Sequence, residues 1–362
     1  MRRLVLVTAL AVLVVGCTDT TGVQGTTGGD ARVVVLNGVG ETGVTFVPLD
    51  NAPTAHIDFG ASFDGAVFTV DHDSVLSTSS AFAGDQLFVA DLAARTVQPV
   101  QLPAGSNPGG ARFRPDPNTG AHTSQLFVAL RNTGQLAFID LSAPTVVSVS
   151  DGAGACPADI VVHGDDVWSV DENLACASDF SVQGNGRLIR VPLDGSDPDT
   201  VDLGSASVSA QRAVVSGDEA FVLSGGDFVS TPGAVSRVNL ASHQVTGTLP
   251  LPDGIFGVSL ALGNDGKLYV TGAGTPFVPR LFIVDPASLT FVNGAPAGDG
   301  HIVLTKDDGS EASCFAAIGE ANGDILCVEN GDVTATVLRF DASGTFIDSA
   351  PAGSPAFDIA IR

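Results

Sequence analysis

Leu136-Ala-Phe-Ile-Asp-Leu141 is one copy of a six-residue pattern that recurs along the whole chain. The pattern consists of an apolar residue, two variable residues, a second apolar residue, then Asp, Pro or Asn, and usually leucine. Repeats of about 40–50 residues are typical of β-propellers and solenoids. The other copies begin at Val44, Leu87, Leu188, Val235, Leu281 and Val337, so successive starts are 43, 49, 52, 47, 46 and 56 residues apart.

Each repeat has the pattern of a four-stranded β-meander rather than a helix pair. β-Branched and apolar residues dominate, and turn-forming residues recur about every 8–12 positions. In the third repeat, strands are predicted at 159–162, 167–170 and 187–193, with a fourth around 200–203.

The two ends of the chain distinguish a closed ring from an open solenoid. Ser354-Pro-Ala-Phe-Asp-Ile-Ala-Ile-Arg362 matches a single first strand, whereas 32–37, 44–50 and 54–59 match second, third and fourth strands. These four strands make one complete blade, and a closed ring removes the open sheet edges. The sequence therefore predicts an all-β, seven-bladed β-propeller over residues 31–362. Its blades are four-stranded and antiparallel, and its last blade joins one C-terminal strand to three N-terminal strands.

Several segments resemble the YVTN-repeat and lactonase-like group of seven-bladed β-propellers. Units of that group read roughly P-x-x-I-A-V-S, L-Y-V-A-N and V-x-V-I-D-L, and the resemblance covers residues 31–362. Its matching positions are packing and turn positions, so it implies the fold. The group includes enzymes, nucleic-acid binders and interaction modules, so no single function is implied. The segments are Cys156-Pro-Ala-Asp-Ile-Val-Val, Lys267-Leu-Tyr-Val270 and Leu136–Leu141.

The N-terminus has the form of an export signal. Met1-Arg-Arg3 is basic, and the apolar run 4–15 is shorter than the roughly 20 residues that span a bilayer as a helix. The run ends in Val14-Val-Gly-Cys17, which resembles the lipobox of bacterial lipoproteins. Residues 1–16 are therefore predicted to be a lipoprotein signal peptide and Cys17 the lipidated residue. An ordinary signal peptide with an incidental cysteine is the alternative.

Residues 17–30 are rich in threonine and glycine, which predicts a flexible tether between the lipid and the propeller. In lipoproteins of two-membrane bacteria, an aspartate after the lipidated cysteine favours retention at the inner membrane. Thr18 occupies that position here. We therefore expect an extracytoplasmic protein anchored in the outer membrane of such a bacterium.

Composition limits the classes of partner. Forty acidic residues against 16 basic ones give a net charge of −24, the wrong sign for neutralising phosphates, so nucleic-acid binding is disfavoured. With 44% apolar and 15% charged residues, the chain can bury a substantial core. We expect a monomer whose partners are the membrane, through the lipid, and a protein, peptide or glycan.

Four cysteines remain after lipidation: Cys156, Cys176, Cys314 and Cys327. In an oxidising compartment they predict two disulfides, with three possible connectivities. In the propeller layout the ends of one hairpin lie close together, whereas blades three and six lie far apart. The layout therefore favours Cys156–Cys176 and Cys314–Cys327, although Cys327 lies within its strand and is offset from the hairpin end.

The candidate binding face is the one carrying the loops that precede the first strands and the loops between the second and third strands. Asp159, Arg212 and Asp358 each precede the apolar stretch of a first strand and so lie near the central channel. Asp299 and His301 come from the long segment before the sixth blade. One interpretation is a ring of polar groups that binds a ligand. The other is a set of ion pairs between neighbouring blades, with Asp159 beside Arg212.

Asp307, Asp308 and Glu311 offer the hard oxygen atoms that calcium prefers, but they lack the spacing of an EF-hand. A solvated acidic loop is the alternative, and no other cofactor is predicted. The sequence contains no G-x-S-x-G and no H-E-x-x-H motif, and its six histidines are scattered among the repeats. We therefore predict a binding or scaffolding module rather than an enzyme. The alternative, by fold analogy, is a metal-assisted hydrolase or lactonase with a site at the mouth of the channel.

Overall fold

The computed structural model describes residues 33–38, 42–48, 54–60, 65–71, 74–79, 84–116, 122–193, 196–292 and 300–361. These residues contain no helix, so none of them forms a membrane-spanning helix. They form twenty-eight strands, arranged as seven four-stranded antiparallel sheets. The predicted signal peptide, Cys17 and the predicted tether lie outside the described residues.

The strands are numbered along the chain, and the first three are β1 (Val33–Asn37), β2 (Gly43–Val47) and β3 (Ala55–Asp58). Blade 1 contains β4 (Gly65–Asp71), β5 (Ser74–Ser79), β6 (Gln86–Asp91) and β7 (Thr96–Gln101). Blade 2 contains β8 (Pro108–Pro115), β9 (His122–Leu130), β10 (Gln135–Asp140) and β11 (Thr145–Ser150). Blade 3 contains β12 (Pro157–His163), β13 (Asp166–Asp171), β14 (Arg187–Val191) and β15 (Asp199–Asp202).

Blade 4 contains β16 (Ala210–Ser216), β17 (Glu219–Ser224), β18 (Ala234–Asn239) and β19 (Gln244–Pro250). Blade 5 contains β20 (Phe256–Leu262), β21 (Leu268–Ala273), β22 (Pro279–Asp285) and the two-residue β23 (Thr290–Phe291). Blade 6 contains β24 (Cys314–Gly319), β25 (Ile325–Asn330), β26 (Ala335–Phe340) and β27 (Phe346–Pro351). The last strand is β28 (Ala356–Ile361).

Blade 7 joins the two ends of the chain, as predicted. Its strand order is β28-β1-β2-β3, and β28 pairs with β1 in an antiparallel register that places Val33 opposite Ile361. The first strands β4, β8, β12, β16, β20, β24 and β28 contact one another in succession, and β28 contacts β4. The structure is therefore a closed seven-bladed β-propeller with the first strands around its central channel.

The core lies between neighbouring blades, because each blade is covered by another blade on both faces. Strands in the middle of a blade are consequently apolar on both faces: β13 and β17 are each buried at five of six positions. The outermost strand β11 has no buried position. Trp168 of blade 3 and Val222 of blade 4 belong to one such buried cluster. Burying a side chain of this kind contributes about 1.5–3 kcal/mol.

The ring has two faces that differ in their connections. The loop face carries the segments that precede each first strand and those that connect the second strand to the third. The turn face carries the remaining connections. Since β28 runs from the loop face to the turn face and pairs antiparallel with β1, Val33 and Ile361 both lie on the turn face.

Deleting residues 357–362 tests the closure of the ring. The truncated chain lacks almost all of β28. This exposes the edge of β1 and uncovers β4 and β24, the first strands that contact β28. We therefore expect the chain to unfold or aggregate. Thermal unfolding followed by circular dichroism measures this effect. Wild-type melting of the truncated chain would contradict the closed ring.

Candidate functional site

β-Bulges position the polar side chains of the channel. In blades 3, 4 and 7 the register of the first strand shifts by one residue near its start, and the residue that follows the shift is Asp159, Arg212 and Asp358, respectively. The equivalent residues in blades 5 and 6 are Ser259 and Ala316. The sequence-predicted polar residues therefore occupy equivalent positions around the channel.

Asp159 is held by the blades on either side of it. Arg112 of β8 places Nη2 3.1 Å from both carboxylate oxygens of Asp159, and the backbone N–H of Ala213 in β16 donates to Oδ2 at 3.1 Å. Gly110 makes room for this contact, since a Cβ atom there would lie 2.1 Å from Oδ1 of Asp159. Sequence reasoning did not identify Arg112.

Arg212 of blade 4 forms an ion pair with Asp358 of blade 7, which lies across the channel rather than in a neighbouring blade. Asp358 also accepts a hydrogen bond from the backbone N–H of Ile359 at 2.9 Å. Asp159 and Asp358 are only 1% and 5% exposed. This geometry fits the ion-pair interpretation in part. Asp159 pairs with Arg112 of the neighbouring blade 2, whereas Arg212, predicted to lie beside Asp159, pairs with Asp358 across the ring.

Burial raises the pKa of the Asp358 carboxyl above its ordinary value. The Arg212 guanidinium opposes this shift, and the nearby Asp159 carboxylate adds to it. Two carboxylates and two guanidinium groups thus fill this part of the channel. A cation at the same place would compete with Arg112 and Arg212 for the carboxylate oxygens.

Both predicted disulfides are confirmed. Cys156–Cys176 joins the segment that precedes β12 to the loop that follows β13 in blade 3, with Cα atoms 5.4 Å apart. Cys314–Cys327 links β24 to β25 within blade 6, with Cα atoms 5.3 Å apart. Cys327 can reach Cys314 although it lies within its strand, because a bulge at Phe315 shifts the register between the two strands.

A buried carboxyl lies against the first disulfide. Oε2 of Glu172 lies 3.1 Å from Sγ of Cys156 and 2.5 Å from Nη2 of Arg131, which comes from blade 2. Burial raises the pKa of Glu172, and Arg131 partly offsets this increase. Among the described residues, one group of three side chains has potential metal-ligand atoms that all lie within 4.8 Å of one another. It consists of Cys156, Glu172 and Cys176. Both sulfurs are bonded in the disulfide, so neither is a thiolate ligand.

The segment before blade 6 is packed against the blades rather than extended into solvent. Ile302 pairs with Leu281 of β22, and Leu304 is buried in the core of blades 5 and 6. Nε2 of His301 lies 3.0 Å from Oε1 of Glu311. Asp299 lies outside the described residues.

The proposed calcium ligands point to different local partners. Asp308 accepts hydrogen bonds from the backbone N–H of Ser310 at 2.9 Å and from its hydroxyl at 2.6 Å, which lower the pKa of Asp308. Glu311 contacts His301 instead. Asp307, Asp308 and Glu311 do not form a ligand group within 4.8 Å, so calcium binding stays a prediction.

The loop face carries an aromatic arc that sequence reasoning missed. We use this name for Phe228, Phe256, Phe277, Phe315 and Phe357. Phe228 and Phe256 have ring centroids 5.0 Å apart, while Phe315 lies 6.3 Å from Phe277 and 6.0 Å from Phe357. A sequence signal was present: Phe256, Phe315 and Phe357 all fall at the start of a first strand.

The fold is similar to that of solved β-propellers, whereas no protein-family model and no curated protein sequence matches the chain. Hydrazine synthase from Kuenenia stuttgartiensis has a TM-score of 0.61 and 12% identity, over 80% of this chain and 87% of that chain. A protein from Lactobacillus plantarum has a TM-score of 0.62 and 12% identity, over 91% and 99%. A candidate 6-phosphogluconolactonase from Bacteroides fragilis has a TM-score of 0.58 and 13% identity, over 92% and 98%. At such identities the similarity shows the fold alone.

Replacing Arg212 by methionine tests the pair that crosses the channel. The variant leaves the buried Asp358 carboxylate without its cation, which typically costs about 3–5 kcal/mol of unfolding free energy. The double variant R212M/D358L removes both charges and should recover most of this loss. Chemical denaturation measures all three proteins. R114M is the control, because Arg114 pairs with the exposed Asp165 at 3.8 Å. Equal stability of wild type and R212M would contradict the pairing.

Glu172→Gln tests the carboxyl beside the disulfide through its pH dependence. Burial raises the pKa of Glu172 above 4.5. Between pH 4.5 and this raised pKa, the folded state therefore binds more protons than the unfolded state. The contribution of Glu172 to stability is therefore lost as pH rises through this window. The unfolding free energy of wild type minus that of the variant should fall as pH increases from 4.5, measured by urea titrations. A difference independent of pH would contradict this burial.

Proposed function

We propose that this chain is a lipid-anchored extracytoplasmic module that binds or scaffolds a protein, peptide or glycan through its loop face. The observation that supports this proposal most is the accumulation of exposed apolar side chains on that face. Contiguous exposed apolar surface marks interaction sites in soluble proteins.

Four consecutive blades contribute to this surface through the same loop, the one between the second and third strands. The exposed side chains are Val182 in blade 3, Phe228 and Val229 in blade 4, Phe277 and Val278 in blade 5, and Val333 in blade 6. Phe228 and Phe277 are 60% and 58% exposed. Every other phenylalanine whose side chain the structure describes is buried or half-buried. Burying them against a partner would remove this apolar area from water.

The position of β1 supports the anchored arrangement. Val33 begins β1 on the turn face, so a tether that precedes it, such as the predicted segment 17–30, would join the ring on the side opposite the aromatic arc. A flexible chain of this length spans on the order of 20 Å. Lipid at Cys17 would therefore hold the turn face towards the membrane and leave the loop face open to partners.

Two further observations fit the proposed location and family. Two disulfides suit an oxidising, extracytoplasmic compartment. The similar fold of a candidate lactonase agrees with the resemblance to the YVTN-repeat and lactonase-like group. Membership of that group and export to the outer membrane are parts of this proposal.

The alternative of a metal-assisted hydrolase has less support from the geometry of the channel. Arg112 and Arg212 bind the two described channel carboxylates, Asp159 and Asp358. Cation binding at these oxygens would require at least one of the two ion pairs to break. Binding through the surrounding loops requires no such rearrangement, so we favour the binding role.

Photo-crosslinking in living cells tests the binding face. A photoreactive amino acid replaces Phe228 on the loop face or, as the matched control, Ala321, which is exposed between β24 and β25 on the turn face. We expect discrete adducts at position 228 and none at position 321. Adducts at neither position, or equally at both, would overturn the proposal. Cys17→Ser tests the anchor in the same cells and should move the protein from the membrane fraction to the soluble fraction.

A further inference from the structure

The loops that carry exposed apolar side chains also carry carboxylates. Asp179 lies in the loop of blade 3, Asp227 in that of blade 4 and Asp332 in that of blade 6, while Asp253 lies just before β20 of blade 5. None of these four carboxylates forms an ion pair with a described residue. The loop face therefore carries negative charge in four consecutive blades, three of which also contribute to the aromatic arc.

Two of these aspartates are held ionised by local hydrogen bonds. The hydroxyl and backbone N–H groups of Ser181 lower the pKa of Asp179. Hydrogen bonds from the backbone of Thr231 and from Ser230 lower the pKa of Asp227. Both carboxylates therefore stay charged at neutral pH in the free protein.

Three basic residues of the loop face are already paired with other carboxylates. Arg131 binds Glu172, Arg187 binds Asp171, and Lys306 binds Glu329. These three pairs neutralise other carboxylates rather than the four loop aspartates. Arg280 is a further cation of this face, near Asp253, so four loop carboxylates outnumber it. The face is thus complementary to a surface that combines apolar groups with positive charge.

A recess beside the arc suits the insertion of a side chain. It has a volume of about 430 Å³ and lies between Asp253–Ile255 and the loop that begins at Gly274, with Val278 and Arg280 also lining it. Interfaces are commonly anchored by one or a few apolar side chains in such recesses, surrounded by a polar rim. Here Asp253 and Arg280 are the charged residues that line the recess.

We propose that the loop face binds an amphipathic, cationic segment of a partner protein. Apolar side chains on one side of this segment lie on the aromatic arc, and its lysines or arginines lie beside Asp179, Asp227, Asp253 and Asp332. This inference rests on the proposed binding function and names the chemistry of the partner. A glycan lacks positive charge, and an anionic membrane carries the wrong charge, so neither matches both features of the face.

Peptide titration with the full chain tests this chemistry. The probe is an 18-residue peptide of leucine and lysine with leucines at helical spacing, so that one side is apolar. One control peptide has the same composition in scrambled order, and another has glutamate in place of lysine. We expect the amphipathic lysine peptide to bind, the scrambled peptide to bind less tightly and the glutamate peptide not to bind. Raising the salt concentration should weaken binding.

Paired variants locate the binding surface. F228S/F277S removes the two exposed phenylalanines and should weaken peptide binding at least about tenfold. V147S/I347S is the matched control, because Val147 and Ile347 are similarly exposed, 58% and 44%, but lie on outermost strands. D253N/D332N should weaken binding and flatten its salt dependence. All six positions are exposed, so the melting temperatures should remain close to that of the wild type.

The outcomes separate this inference from the proposed function. Equal affinity of wild type and F228S/F277S, or equal binding of the glutamate peptide, would overturn the inference. Binding of maltoheptaose or of anionic lipid vesicles that depends on Phe228, without binding of the lysine peptide, would also overturn it. In that case, photo-crosslinks at position 228 would preserve the binding role with a different partner, and their absence would remove both.

Discussion

Closure of the ring through β28 and β1 is the constraint on which the rest of the structure depends. The pairing joins residues more than 300 positions apart in sequence, and the buried Asn37 side chain reinforces it by donating hydrogen bonds to the carbonyl oxygens of Ala352 and Ser354, each at 2.7 Å. Each blade buries its two faces against its neighbours, so one missing strand would leave apolar faces and sheet edges open on both sides of the gap. The long separation also means that a large loop-closure entropy must be overcome before these contacts form.

The same closure completes the central channel. Asp358 reaches the channel only because β28 takes its place beside β1 and β24, and only there can Arg212 contact it from across the ring. Together with Arg112 and Asp159, this pair places four charged groups in a space with little access to water. Buried ion pairs of this kind contribute little net stability, but they penalise arrangements that leave one charge unpaired. The channel charges therefore favour the geometry of the ring in which both ion pairs form. Because these charges are paired with each other inside the channel, the loops are the accessible part of the loop face.

The parts of this molecule that stabilise the fold are separate from the loops that we propose as its binding surface. The seven sheets supply a rigid frame through inter-blade packing, and the loops between second and third strands take no part in those sheets. Such loops can carry apolar and acidic side chains at little cost to the fold, which is why binding sites concentrate on loops positioned by rigid scaffolds. Solved propellers with 12–13% identity share the frame, which is consistent with a fold that depends on packing positions and leaves its loop chemistry free to differ.

The sequence by itself predicted the seven repeats, because strand periodicity and turn residues are local properties. Complementary strand fragments at its two ends predicted the composite blade, and the predicted hairpin layout favoured the two disulfides among three connectivities. The sequence also identified Asp159, Arg212 and Asp358 as channel residues, since they hold equivalent positions in their repeats. Only the tertiary structure decided which charges meet: Arg212 reaches blade 7, and Arg112 and Arg131 pair with carboxylates of blade 3. It likewise brought Glu172 to a disulfide and gathered five phenylalanines from blades 4 to 7 on one face. Apart from the contact of Glu172 with the disulfide of its own blade, these contacts join different repeats. The distance between side chains of different repeats is set by the curvature of the closed ring, which no local pattern encodes.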